Sequence, residues 1–298
     1  MTSRQKRPVL FPSRSIFLLS CPRSGSSAIS GALHRMGVSM GENLQVADEL
    51  NPGGYYESLA WQRVNKAIGG QRYNVRWMNA TPEQLEQYRR LIAKCSRAMI
   101  WGCKSPRLAY VFHHIWPLFK GTDTEIRVVW AHRDFENIVK SFQRHTELAY
   151  HGRWPMTEDQ ARALMTKWHK ALIWQLATFP GQVYQVDYDR LLEEPVTELL
   201  NLHDYCYDGL DVPGHKRIIT PALNWLDKEL RHYNHVAHSP NAGPGTGNAD
   251  AESGAPSGWT RKHPCRGCGR RKSERVDAER EQAPTVDTEP GTELDGDR

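Results

Sequence analysis

The stretch FLLSCPRSGSSAISGALHRMG, Phe17 to Gly37, constrains the fold more than any other part of the chain. It reads as a short apolar strand, a tight Gly/Ser loop and a helix that stops at Gly37. A strand feeding a helix through such a loop is the unit of parallel α/β sheets, and the backbone N–H groups at the helix start favour an anion. A Walker A loop requires Gly-x-x-x-x-Gly-Lys-Ser/Thr, in which Lys reaches the terminal phosphate and the hydroxyl binds Mg²⁺. Here Ser20 stands in the first glycine position, Gly25 in the second, Ser26 in the lysine position and Ser27 in the hydroxyl position. The lysine is missing, and a cation stands three residues earlier, at Arg23. Arg23, Ser24, Gly25, Ser26, Ser27 and Ala28 therefore form a candidate phosphate loop with its cation moved. The alternative for this motif alone is a plain turn without a ligand. A phosphatase loop built on Cys21 is excluded, because it needs Arg six residues on, where Ser27 stands.

The rest of the body repeats the alternation. Ile16 to Ser20, Ala98 to Cys103, Ile126 to Ala131 and Val183 to Val186 are expected strands. Ser27 to Met36, Pro82 to Cys95 opened by Thr81, Phe135 to His145 opened by Asp134, and Glu158 to Phe179 opened by Thr157 are expected helices. The pattern predicts an α/β fold with a mainly parallel sheet, whose ligands sit at the carboxyl ends of the strands. The expected organisation is a flexible segment over 1–14, a folded domain over 15–237 and a disordered tail over 238–298, Gly/Pro-rich and then charged.

Three further stretches place chemistry at that sheet edge. AHRDFENIVKSF sets Arg133 at the end of a strand and Ser141 two turns into the next helix, so that the two can clasp one phosphate. NPGGYYES, Asn51 to Ser58, is a turn that presents Tyr55 and Glu57, and a carboxylate there can accept a proton from a hydroxyl or amine. WGCKSPRL puts Lys104 just past a strand, facing the same crevice, with Arg107 either holding substrate or pairing with an acidic surface group.

Pro-Arg-Ser-Gly-Ser-Ser resembles the loop of sulfotransferases that use 3′-phosphoadenosine 5′-phosphosulfate, in which Lys or Arg precedes Ser-Gly-Thr/Ser-Thr/Ser. Arg133 and Ser141 carry the spacing of the pair that binds the cofactor's 3′-phosphate in that family, and Asn51 to Glu57 resembles a bacterial signature, Asn-Pro-x-Gly-Tyr-x-Glu. QVDYDRLLEEP resembles the family's strand-to-helix segment, which implies that Tyr188 lies near the nucleotide. The resemblance covers Ile16 to Asn234 and implies a P-loop-type three-layer sandwich, a central mainly parallel sheet flanked by helices. It also implies transfer of a sulfuryl group to a hydroxyl or amine of a carbohydrate, lipid or small-molecule acceptor, without a metal. Arg23, Lys104 and the loop N–H groups would neutralise charge, and Arg107 and Tyr55 would meet the acceptor. The chain departs from the family beside Lys104, where Ser105 replaces Asp and no His lies two residues on, so the expected base is Glu57. The Arg-Lys-Gly segment that closes over the nucleotide in animal members has no counterpart. The rival readings are a P-loop kinase using ATP and Mg²⁺, disfavoured by Ser26, and a non-catalytic module that binds an anion or nucleotide.

A formal charge of +5 suits an anionic ligand and falls short of a nucleic-acid-coating composition, so nucleic acid is not the expected partner. The apolar run Ile16 to Leu19 is too short for a signal-peptide core, and no stretch is long enough to span a membrane. With six Cys the expectation is a cytoplasmic protein with reduced thiols. Cys265 and Cys268, with His232, His235 and His238, match zinc donors in type, but a single CxxC reads more simply as tail thiols. Trp61, Trp77 and Trp154 are candidates to line a sugar or lipid site, although Trp is more often core.

Overall fold

The computed structural model describes residues 13–71, 74–75, 77–149, 156–210, 214 and 216–226. The chain divides into two units, Met1–Ala242 and Gly243–Arg298, and the second lies wholly outside the described residues. So do Trp154, His232, His235, His238, Cys265 and Cys268.

In chain order the elements are β1 (Arg14–Ser20), α1 (Ser26–Arg35), α2 (Leu59–Gly69), the short strands β2 (Gly70–Gln71) and β3 (Asn74–Val75), α3 (Pro82–Cys95), β4 (Ile100–Lys104) and α4 (Leu108–Ile115). They continue with β5 (Glu125–His132), α5 (Phe135–Ala149), α6 (Glu158–Thr178), β6 (Val183–Asp187), α7 (Tyr188–Glu193) and α8 (Pro195–Tyr207), and a last helix covers 216–226. The main sheet has the order β4-β1-β5-β6 with every pair parallel, and β2 and β3 form a separate antiparallel pair. β1 is central and buried along its whole length, which is why it reads as a continuous apolar run instead of an alternating one.

Side chains of β1 alternate between two cores. Phe17 and Leu19 join Trp61, Trp101, Phe112, Phe142 and Trp168 on one face. Ile16 and Leu18 join Ile29, Leu33, Val129, Leu199 and Trp225 on the other. The result is an α/β three-layer arrangement, helix on sheet on helix. Among the described residues no helix is long and apolar enough to cross a membrane.

The capping residues set the helix starts. Thr81 and Thr157 each form a capping box, with Gln84 and Gln160 respectively. Thr157→Ala is expected to cost about 1 kcal/mol, read as a lower urea midpoint at unchanged slope. An unchanged midpoint would show the cap to be idle.

The structure shifts some expected bounds. β4 runs Ile100–Lys104 instead of Ala98–Cys103, because Ala98 closes a turn onto the Cys95 carbonyl (3.0 Å). α5 continues past His145 to Ala149, about one turn further. α2 and α4 did not stand out in the sequence, whereas α8 starts at Pro195, the end of the segment QVDYDRLLEEP. α4, LAYVFHHI, is only two turns long, too short for a helical period to be read from the sequence. α2 buries Gln62 and Asn65 among its apolar residues, which interrupts the stripe.

Candidate active site

All four parallel strands end on one edge, and β1 lies between β4 and β5, so the loops after β1, β4, β5 and β6 share one crevice. After β1 the chain turns through Arg23 (φ 69°) and Gly25 (φ 78°), both left-handed. The Ser24 hydroxyl closes this turn on the Cys21 carbonyl at 2.9 Å. Gly25 is required here. A Cβ on it would lie 2.0 Å from Cδ2 of Tyr188, whose ring packs directly on the loop. α1 then begins with no side-chain cap and no acidic residue in its first turn. The N–H groups of Ser26, Ser27 and Ala28 are therefore left for an external anion.

Arg133 and Ser141 reach this loop from β5 and α5. Arg23 donates from Nε to Ser141 Oγ at 3.2 Å, and Arg133 donates from Nη1 to the Arg23 carbonyl at 3.4 Å. The Arg133 guanidinium lies 5.0 Å over the Tyr188 ring and its Nε is 3.6 Å from Asp189 Oδ1, yet that Nε is buried with no hydrogen-bond acceptor. A buried charged donor left open in this way suits an anionic ligand. Asp187 caps α7 through the N–H groups of Asp189 and Arg190, and lies 3.0 Å from His132 Nδ1. Burial opposes its ionisation, but hydrogen bonds from the Arg190 backbone and His132 hold its carboxyl below the ordinary range. That pair fixes the turn carrying Tyr188 and Asp189.

On the other side of the loop, Asn51 to Glu57 folds back over α1. Asn51 donates from Nδ2 to Ser27 Oγ (3.1 Å) and to the Gly54 carbonyl (2.9 Å). This brings Glu57 to Lys104 at the end of β4. Lys104 Nζ is 2.8 Å from Glu57 Oε1, and the two side chains are only 3% and 7% exposed. The same ammonium lies 3.3 Å from the Tyr55 carbonyl and 3.4 Å from Ser27 Oγ. Gln62 Nε2 donates to Glu57 Oε2 at 2.9 Å and also contacts Gln45 Oε1. Both carboxylate oxygens are thus engaged.

Two expected acceptor residues have local partners. Arg107 donates from Nε to the Gly70 carbonyl at 3.0 Å. Burial holds its guanidinium below the ordinary range, against the attraction of Glu57. It braces the α2–α4 junction instead of pairing with an acidic surface group, one of the two roles open from the sequence. The Tyr55 hydroxyl donates to Asp48 (2.8 and 2.9 Å), and burial followed by that bond pushes its phenol up. Burial pushes the Cys21 thiol up to about 12, which leaves it protonated and unsuited to act as a nucleophile.

Sequence reading missed Gln62, Asp189 and His145, and it placed Asn51 in a motif without giving its side chain a role. His145 lies one turn beyond Ser141 on the same face of α5, and burial followed by the charge of Arg23 pushes its imidazole down to about 4. Its position relative to Ser141 was the available signal. Trp61 is core, 1% exposed and packed against Trp101 and Tyr88, so it lines no acceptor site. Trp77 is half exposed and meets Trp174 edge-on at 4.8 Å. Among the described residues no group of three or more His, Cys, Asp or Glu is placed to hold a metal ion.

The family model of the sulfotransferases matches residues 15–213. An uncharacterized protein of Aquifex aeolicus (strain VF5) is 37% identical over 72 residues, which is 24% of this chain and 7% of that protein. The chain thus spans only a small fraction of that relative's length. Among solved structures, the sulfotransferase domain from the Synechococcus PCC 7002 olefin synthase is 19% identical, with 73% of this chain and 80% of that one covered at a TM-score of 0.43. A sulfotransferase from Mycobacterium tuberculosis H37Rv is 16% identical, with coverage of 73% and 71% and a TM-score of 0.40.

Proposed function

This chain belongs to the sulfotransferase family, and on that premise we propose that it uses 3′-phosphoadenosine 5′-phosphosulfate to sulfate a hydroxyl or amine of a carbohydrate, lipid or small-molecule acceptor. The observation that carries the proposal is the meeting of Arg23, Arg133 and Ser141 on the cation-shifted loop, with a buried Arg133 Nε open to an acceptor.

In this reading the N–H groups of Gly25 to Ala28, with Ser24, Ser26 and Ser27, hold the 5′-phosphosulfate. Arg133 and Ser141 hold the 3′-phosphate, Tyr188 supports the nucleotide under Arg133, and Tyr55 and Arg107 border the acceptor. The donor supplies an activated sulfuryl group: the acceptor oxygen or nitrogen bonds to sulfur as the S–O bond to adenosine 3′,5′-bisphosphate breaks, and the bisphosphate leaves with the electron pair. Lys104 and Arg23 neutralise charge gathering on the bridging and equatorial oxygens, and Glu57 takes the acceptor's proton. The free thiols Cys21, Cys95, Cys103 and Cys206 suit the reducing cytoplasm in which the proposal locates the protein.

Calorimetric titration with adenosine 3′,5′-bisphosphate tests the reading. Binding is expected without Mg²⁺, and Arg133→Ala is expected to weaken it about 100-fold, because a charge-assisted partner of one phosphate is lost. Binding of ATP that depends on Mg²⁺ would instead favour a kinase, and no nucleotide binding at all would favour an anion-binding module.

A further inference from the structure

Lys104 stands between two sites. Its ammonium has three donors, and the three oxygens around it are the Glu57 carboxylate at 2.8 Å, the Tyr55 carbonyl at 3.3 Å and the Ser27 hydroxyl at 3.4 Å. Ser27 belongs to the uncapped first turn of α1, where an anion is favoured. A lysine on a flexible stem can exchange such partners by rotation, whereas a forked guanidinium is fixed to one. Glu57, for its part, has one charged partner and one neutral one: Gln62, itself anchored on Gln45, holds Oε2 independently of Lys104.

We propose that Lys104 exchanges partners on ligand binding: an anion seated on the α1 loop draws its ammonium off Glu57, so that the carboxylate becomes an effective base only once the donor is in place. This rests on the sulfotransferase reading above. While Lys104 is paired with Glu57, its ammonium occupies Oε1 of the carboxylate. Once Lys104 has turned to the donor's phosphosulfate, a buried carboxylate held only by a neutral amide takes a proton more readily. The other charged or titratable groups facing Glu57 do not replace the lost cation. Arg107 is bonded to the Gly70 carbonyl, and Tyr55 and Cys103 are neutral groups whose ionisation Glu57 opposes. During turnover the acceptor's proton passes to Glu57 as the acceptor bonds to sulfur, and it returns to solvent when the products leave and Lys104 resumes its place. The device makes proton transfer wait for the donor.

Adenosine 3′,5′-bisphosphate is the probe, titrated calorimetrically into the full chain near neutral pH in two buffers of different ionisation enthalpy. The wild type is expected to take up on the order of half a proton more per bound nucleotide than Glu57→Gln. On wild-type protein alone, the infrared difference spectrum on binding should gain a protonated-carboxyl band, so the outcome does not depend on how the variant folds. A crystal structure of the complex should show Lys104 Nζ moved from Glu57 to the nucleotide's 5′-phosphate. Binding with equal proton counts, no carboxyl band and an intact Lys104–Glu57 contact overturns the exchange and leaves the sulfotransferase reading standing. Failure of the nucleotide to bind overturns that reading, and the exchange with it.

Discussion

Replacing Glu57 by Gln is expected to lower turnover by about 100- to 10,000-fold, the range over which a positioned proton acceptor contributes. Affinity for adenosine 3′,5′-bisphosphate should be unchanged or slightly tighter. The substitution keeps the shape of the side chain. Its amide oxygen can still accept from Lys104, and the amides of Gln62 and Gln45 can turn together so that Gln62 Oε1 accepts from the new NH₂ group, so the buried contacts of Glu57 are largely preserved. What is lost is the ability to take a proton, and relieving Lys104 of a charged partner leaves it freer to meet the donor. Steady-state turnover with a sulfated product readout, alongside calorimetry, separates the two effects. Intact turnover with normal nucleotide affinity would remove Glu57 from the chemistry. The neutral imidazole of His145, one turn beyond Ser141, would then be the next candidate.

Gly25→Ala is expected to destabilise the protein by about 2–5 kcal/mol, summing the left-handed backbone cost and overpacking. It should also abolish nucleotide binding. The residue has φ 78°, and the added Cβ would lie 2.0, 2.3 and 2.6 Å from three atoms of the Tyr188 ring. Either the ring or the loop must move, and both belong to the proposed nucleotide site. Chemical denaturation of Gly25→Ala, Tyr188→Ala and the double variant divides the effect. Removing the ring should relieve the steric part and leave about 1–2 kcal/mol of backbone strain. A single variant as stable as the wild type would show that the loop relaxes around a side chain, and would remove the reason for glycine at this position.

Much of the fold was legible because its signals are local. The strand-loop-helix of Phe17 to Gly37, the capped starts of α3 and α6 and the apolar run of β5 each depend on residues within a turn or two of one another. α2 and α4 were not legible. α4 is only two turns long, and the buried stripe of α2 carries the polar Gln62 and Asn65, so neither shows a long apolar period between clear caps. The candidate site divides in the same way. Arg23, Arg133 and Ser141 could be picked out by residue type and spacing, and the structure brings them together. Trp61 was picked out by type alone and proved to be core.

The sequence by itself determined that an anion-favouring loop follows the first strand, that its cation is Arg23 instead of a Walker lysine, and that the fold is α/β. These follow from chain connectivity and from backbone groups whose positions residue types dictate locally. Only the tertiary structure decided that Lys104 is shared between Glu57 and Ser27, that Gln62 holds the other carboxylate oxygen, and that Tyr188 closes on Gly25. Except for Gln62 and Glu57, which lie five positions apart, those contacts join residues from tens of positions to more than a hundred and sixty apart, brought together because parallel strands deliver their carboxyl ends to one edge.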